Sequence, residues 1–181
     1  MSQENTKDSN NTKEKVIQST LQIIIEDGYK SITWRKISQK SNLSPGTLTY
    51  YFKDIDDIVI LAFNTLIEKE SINLINIVNK SNNITDFCNN ITELISSEYS
   101  KKNYLLLNVE LSCLALRNES YKKLYQIWMK KTQMAYSVFL TENKSKQLDA
   151  LIEGLTLHST MSKAPYSKSE IFAAIQLIIN K

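Results

Sequence analysis

The chain has 181 residues, 42% of them apolar and 23% charged, with a formal net charge of +3. That balance suits a globular protein with a sizeable core, and only three Gly and two Pro argue against a fold built on strands and tight hairpins. No apolar run approaches the roughly 18 residues of a membrane span, and the two cysteines, Cys88 and Cys113, form no CxxC pair.

An all-α chain in a reducing compartment is therefore expected. The polar opening MSQENTKDSNNTKEK lacks the apolar middle of a signal peptide, which points to the cytoplasm. Charge is uneven. Residues 1–53 hold 8 Lys/Arg against 5 Asp/Glu, and residues 54–181 hold 14 of each. A basic first third suits a polyanionic partner, although an unevenly charged solvated surface reads the same way.

In chain order, residues 1–12 lack periodicity and read as a disordered tail. From Lys13 the pattern is helical: Val16, Thr20 and Ile24 form one line, with Ile17, Leu21 and Ile25 beside it. Gly28 is placed to end that helix in the left-handed region. Thr33 is a good N-cap for a second helix, Trp34–Ser41, with Trp34, Ile37, Ser38 and Ser41 inward. Asn42 suits a left-handed turn residue, and Leu43 is expected to plug the core. Ser44 caps a third helix, 45–52, with Pro45 at the position where a missing N–H costs nothing. A long fourth helix is predicted from about Asp54 to about residue 80, its Asp54, Asp56 and Asp57 placed at the positive end of the helix dipole. Polar stretches at 81–83, 101–103, 117–120, 141–145 and 162–167 separate the later runs, giving about nine helices and no internal repeat.

Residues 33–52, TWRKISQKSNLSPGTLTYYF, read as helix, sharp turn, short helix, around Ile37, Leu43, Leu48 and Phe52. The short second helix must lean on its neighbours to be stable. With small and polar outward residues and a capped N-terminus it suits a major groove, and its free N–H groups and the hydroxyls of Tyr50 and Tyr51 suit phosphates. A packed three-helix corner with solvated charges is the plain alternative.

Residues 13–63 resemble the DNA-binding domain of the TetR family, through Gly28-Tyr29, Thr33, Ser44-Pro45-Gly46-Thr47-Leu48, Tyr50-Tyr51-Phe52 and Lys53 in one register. The resemblance implies a helix-turn-helix DNA-binding domain at 13–54 and a helical ligand-binding and dimerisation domain at 55–181. It implies Thr33 and Thr47 on phosphates. Arg35 and Lys36 would reach base edges, Ser44, Pro45, Gly46 and Thr49 would face bases or sugars, and Tyr50, Tyr51 and Lys53 would clamp the backbone. Two positions depart from the family pattern: Thr49 stands where Tyr is frequent, and Ile55 where a phosphate-binding Lys is common. The segment 148–158, LDALIEGLTLH, is similar to a helix of a subgroup that includes an enteric regulator of curli and biofilm genes. Trp128-Met129 and residues 110–117 resemble the same subgroup.

Toward the C-terminus, Leu148, Leu151, Ile152 and Leu155 form one apolar stripe, and Ile171, Phe172, Ile175 and Ile179 another; Gly154 would allow close helix approach. Doubled about a two-fold axis they would make a four-helix homodimer interface. Alternatively they only close their own protomer's core. Asn108, Glu110 and Arg117 interrupt an apolar helix, 104–116, so they are candidate ligand contacts, as are Phe87, Trp128, Tyr136 and the single histidine, His158. Core packing or surface exposure is the alternative for each.

Together these features predict a dimeric, sequence-specific regulator bound to double-stranded operator DNA, a repressor released by a small, largely apolar inducer. Neither cofactor nor metal is implied. An enzyme is disfavoured, for there is no Gly-rich phosphate loop, HExxH or GxSxG and no second histidine. A helical protein-interaction module and a ligand-independent repressor are the alternatives.

Overall fold

The computed structural model describes residues 2–97 and 101–180. Met1, residues 98–100 and Lys181, which fall in the expected tail and C-terminal domain, lie outside them. Among the described residues there are nine α-helices, one 3₁₀ turn and no strand, the all-α fold expected. In order they are α1 (Ser2–Asp27), the 3₁₀ turn Tyr29–Ser31, α2 (Trp34–Ser41), α3 (Pro45–Tyr51), α4 (Ile55–Asn79), α5 (Ile84–Ser96), α6 (Lys101–Ala115), α7 (Glu119–Tyr136), α8 (Glu142–Met161) and α9 (Lys168–Ile179). None of these helices is long and apolar enough to cross a membrane.

Three expectations are corrected. The helix expected from Lys13 begins at Ser2, so residues 2–12 are helical rather than an irregular tail. Once a helix is nucleated, each added residue gains a backbone hydrogen bond, so a polar segment can extend it without burying anything. The polar stretches at 101–103 and 141–145 open helices instead of separating them. At the second, Thr141 accepts from the Lys144 N–H, so polar character marks a cap. Gly28 does end α1, but at φ 78° and ψ 164°. That is the extended positive-φ region open essentially to glycine alone, not the left-handed helical one.

The chain packs as two compact units. The first runs through Ile67 and adds Leu106–Leu124; the second is Glu68–Leu105 with the chain from Tyr125 on. In the first unit α1 buries Val16, Ile17, Thr20, Leu21, Ile23 and Ile24, while Ile37, Leu48, Phe52, Ile58 and Phe63 are buried from α2 to α4. Thr20 sits in this core because its hydroxyl donates to the Val16 carbonyl (2.8 Å). The second unit closes on Leu74, Val78, Phe87, Ile91, Ile95, Tyr136, Leu140, Leu148, Leu155, Ile171 and Ile175. There α5, with its amphipathic spacing, packs against α8 and α9.

Candidate nucleic-acid interface

The segment 33–53 is held by short-range bonds that its own residue types dictate. Thr33 Oγ1 accepts from the backbone N–H of Lys36 (3.1 Å), starting α2. Asn42 ends α2 at φ 56° and ψ 39°, the left-handed conformation that Asn tolerates. The Ser38 hydroxyl then donates to the Leu43 carbonyl (2.6 Å), pinning the turn. Ser44 Oγ accepts from the Thr47 N–H (3.1 Å) and starts α3, with Pro45 in its first turn. Asp54 Oδ1 accepts from the Asp57 N–H (2.8 Å), and α4 begins.

Burial divides this segment into two faces. Ile37, Ser41, Leu48 and Phe52 are buried; Trp34, Ser38 and Leu43 are half-buried, so Leu43 plugs the corner only in part. Thr33, Arg35, Ser44, Pro45, Gly46, Thr49, Tyr50 and Lys53 are exposed, and Lys36, Thr47 and Tyr51 half-buried. All eleven expected contact residues thus lie within one 21-residue segment and none is buried.

Their donors are not equally available. Arg35 makes no ion pair among the described residues, whereas Lys36 Nζ lies 3.0 Å from Asp27 and Lys40 pairs with Glu26. Such exposed pairs are worth little, so a phosphate can displace them. Glu26 is held below the ordinary carboxylate range by its bonds to Lys40 and Gln22. Thr49 Oγ1 donates back to Pro45 O (3.2 Å) and Gly46 O (3.3 Å), so its proton is engaged within α3. Tyr50 is 81% exposed and meets Tyr51 edge-on, ring centroids 5.0 Å apart. An aromatic ring so exposed contributes nothing to its own core, so its place on this face suits a contact with another molecule.

The seven ligand candidates do not gather in one unit. In the first, Asn108 is buried, with the Ser112 hydroxyl bonded to its carbonyl (2.8 Å), Glu110 is half-exposed and Arg117 exposed. In the second, Phe87 is enclosed by Tyr136 (6.0 Å, edge-on) and Phe139 (5.1 Å, stacked), and His158 is exposed in the last turn of α8. Trp128 meets Tyr104 and Tyr125 at 5.6 and 6.5 Å. Phe87 and Tyr136 therefore pack as core. Of the eight residues expected at a dimer interface, Leu148, Leu155, Ile171 and Ile175 are buried in their own protomer, a correction to that set. Leu151, Ile152, Phe172 and Ile179 are partly buried.

Two arrangements were missed. Asp149 is buried and accepts from Gln133 Nε2 (2.9 Å); burial raises its carboxyl above the ordinary range. Its signal was an acid set within an apolar stripe. The other is a pair of tyrosine hydroxyls on Asp56, for which the sequence carried no signal, because Tyr121 lies 65 residues away.

Residues 16–62 match the model of the bacterial regulatory proteins of the tetR family. No curated protein matches the chain. Solved structures do. A protein described as a transcriptional regulator of Streptomyces coelicolor A3(2) is 27% identical, covering 94% of this chain and 99% of its own, with a TM-score of 0.83. The multidrug binding protein EbrR, solved with ethidium, is 15% identical over 93% of this chain and 98% of its own (TM-score 0.75). A regulator from Saccharomonospora viridis, solved with choline, is 16% identical over 93% and 95% (TM-score 0.71). The fold is the one these proteins have.

Proposed function

We propose that this chain is a TetR-family transcription regulator that binds operator DNA as a homodimer and represses by occupying it. The observation that carries the reading is the exposed face of residues 33–53, capped and turned as a groove-reading helix pair, inside the segment that matches the family model. In this reading Arg35 reads bases, Thr33, Thr47, Tyr50, Tyr51 and Lys53 hold phosphates, and Ser44, Pro45, Gly46 and Thr49 lie along the groove. The test is selection of bound duplexes from a random library by the full chain, followed by gel shift. A palindromic consensus is expected, with affinity falling steeply with salt. Equal binding to all duplexes at moderate salt would remove the operator.

A dimer is supported by the outward side of α8 and α9. A Cβ at Gly154 would meet nothing within 4 Å. Gly inside a helix costs about 1 kcal/mol relative to Ala, and neither backbone conformation nor protomer packing requires it here. Leu177 is 67% exposed, and a groove of about 580 Å³ runs along Glu170, Ala173, Ala174, Gln176, Leu177 and Asn180. These residues, with Leu151, Ile152, Phe172 and Ile179, are the proposed seam.

Release by a small, largely apolar ligand held among residues 60–165 is part of the same reading. Its support is that proteins of this fold have been solved with ethidium and with choline. Such a ligand would act by tilting α4, since paired recognition helices must stay about 34–36 Å apart to enter successive major grooves, and it must prefer the released form. A thermal-shift screen of small molecules, repeated with bound operator, tests it. The likeness of 148–158 to the curli and biofilm subgroup is a finer proposal, tested by asking whether the selected consensus occurs upstream of such genes.

A further inference from the structure

Three side chains from three distant stretches of the first unit meet on one oxygen. Tyr29 in the 3₁₀ turn donates its hydroxyl to Asp56 Oδ1 (2.9 Å), and Tyr121 of α7 donates to the same atom (2.7 Å). The two rings stand edge-on, centroids 6.1 Å apart. Tyr121 is only 1% exposed, and a buried phenol hydroxyl requires a partner. Here the partner is a carboxylate, which makes the bond stronger than one between neutral groups. Asp56 is exposed and no cation pairs with it among the described residues; its charge is met by solvent, by the two hydroxyls and by the first turn of α4, where the helix dipole favours an acid.

The position of this cluster gives it consequence. Tyr29 begins the turn that leads into Thr33 and α2, and Asp56 follows Lys53 and the end of α3. The cluster therefore ties the entrance of the helix-turn-helix to its exit, and both to α7. A Phe at position 121 would fill the same apolar space and keep the edge-on ring contact. Only the hydroxyl reaches Asp56.

We infer that Tyr121 is a positioning residue of the DNA-reading segment: through Asp56 and Tyr29 it fixes both ends of the helix-turn-helix, so that the setting of α7 determines how residues 33–53 are presented. The inference rests on the proposed DNA-binding reading for its functional sense, while the mechanical tie can be measured without DNA. Burial raises the phenols of Tyr29 and Tyr121 above their ordinary range, which keeps both as donors from neutral into alkaline pH.

The test uses the full chain, a duplex that the wild type selects from a random library, and an unrelated duplex of equal length. Tyr121→Phe and Asp56→Ala are each expected to weaken the selected duplex by about five- to tenfold, the net scale of one hydrogen bond, and to weaken the unrelated duplex much less. The double variant should be no weaker than the weaker single one, because both remove the same tie. Without DNA, amide hydrogen exchange should quicken in Tyr121→Phe at both 29–33 and 55–58. A residue of merely structural importance would lower the melting temperature and reduce both duplexes together. Unchanged exchange in either segment, or unchanged affinity for the selected duplex, overturns the inference. If Asp56→Ala does not fold, Tyr121→Phe decides alone. If the wild type selects no sequence, the DNA-binding reading fails separately, and exchange still decides whether Tyr121 holds both ends.

Discussion

Residues 33–53 and the α8–α9 pair are both helix pairs, yet they are specified in different ways. In the first, each boundary is set by a neighbour within five residues: Thr33 on Lys36, Ser38 on Leu43, Ser44 on Thr47. Its hydrophobic positions are few and small in number relative to its exposed polar ones. In the second, local caps exist, including the Ser167–Glu170 capping box, but the apolar residues exceed what the protomer covers, leaving Leu151, Ile152, Phe172 and Ile179 only partly buried. A stripe can then face either the protomer or a partner. Short-range chemistry fixes where helices start and stop; it does not say what covers a hydrophobic face.

The strongest way to break this contrast is in the C-terminal pair. Leu148→Ala, at a fully buried site, should cost about 2–5 kcal/mol, read as a lower midpoint in urea. Leu177→Asp, at an exposed site, should leave helicity intact but give monomers in sedimentation and abolish operator binding. Should Leu177→Asp remain a dimer with wild-type affinity, the seam lies elsewhere.

Next in size is Gly28→Ala. At φ 78° an L side chain is strained, and the added Cβ would lie 3.0 Å from Glu110 Oε1. A loss of about 1–3 kcal/mol is expected. Glu110→Ala should restore little of it, because the carboxylate can swing away and the backbone cannot. Full rescue by Glu110→Ala would show that the contact, not the conformation, governs this site.

Within residues 33–53, the proposed reading expects Arg35→Ala to lower discrimination between operator variants by about 1–3 kcal/mol, and Lys53→Ala to weaken all duplexes alike and reduce the salt slope by about one. Titrations of operator variants at two salt concentrations separate these outcomes. Identical losses on every duplex from both would reassign Arg35 to the phosphate backbone. Ser44→Ala, which removes the cap of α3, should cost about 1 kcal/mol of stability, apart from any lost DNA contact.

The subtlest probe is Asp149, whose carboxyl burial raises above its ordinary range. Unfolded, it loses its proton at ordinary carboxylate pH, near about 4; folded, it holds the proton to higher pH. Its contribution is therefore most favourable in acid, declines as pH rises through this interval and stays lower at neutral pH. Asp149→Asn retains an acceptor for Gln133 and should melt higher than wild type at neutral pH, an advantage that fades as pH falls to about 4. An advantage independent of pH would place its cause in packing rather than charge.

The sequence by itself determined the all-α class, the bounds of α2, the caps at Thr33 and Ser44 and the left-handed turn at Asn42. Each depends on a backbone group satisfied a few residues away, and such chemistry is written locally. It also marked the exposed face of 33–53, because small and polar residues alternate there with Ile37, Leu48 and Phe52. Tertiary structure alone decided that Leu148, Leu155, Ile171 and Ile175 belong to the protomer core, since an apolar stripe does not name its partner. It decided that α1 extends back to Ser2, which no periodicity marks. It also decided that Tyr121 meets Asp56 and Tyr29 across 65 and 92 positions. Contacts of that span follow from how helices pack, and packing depends on every face at once.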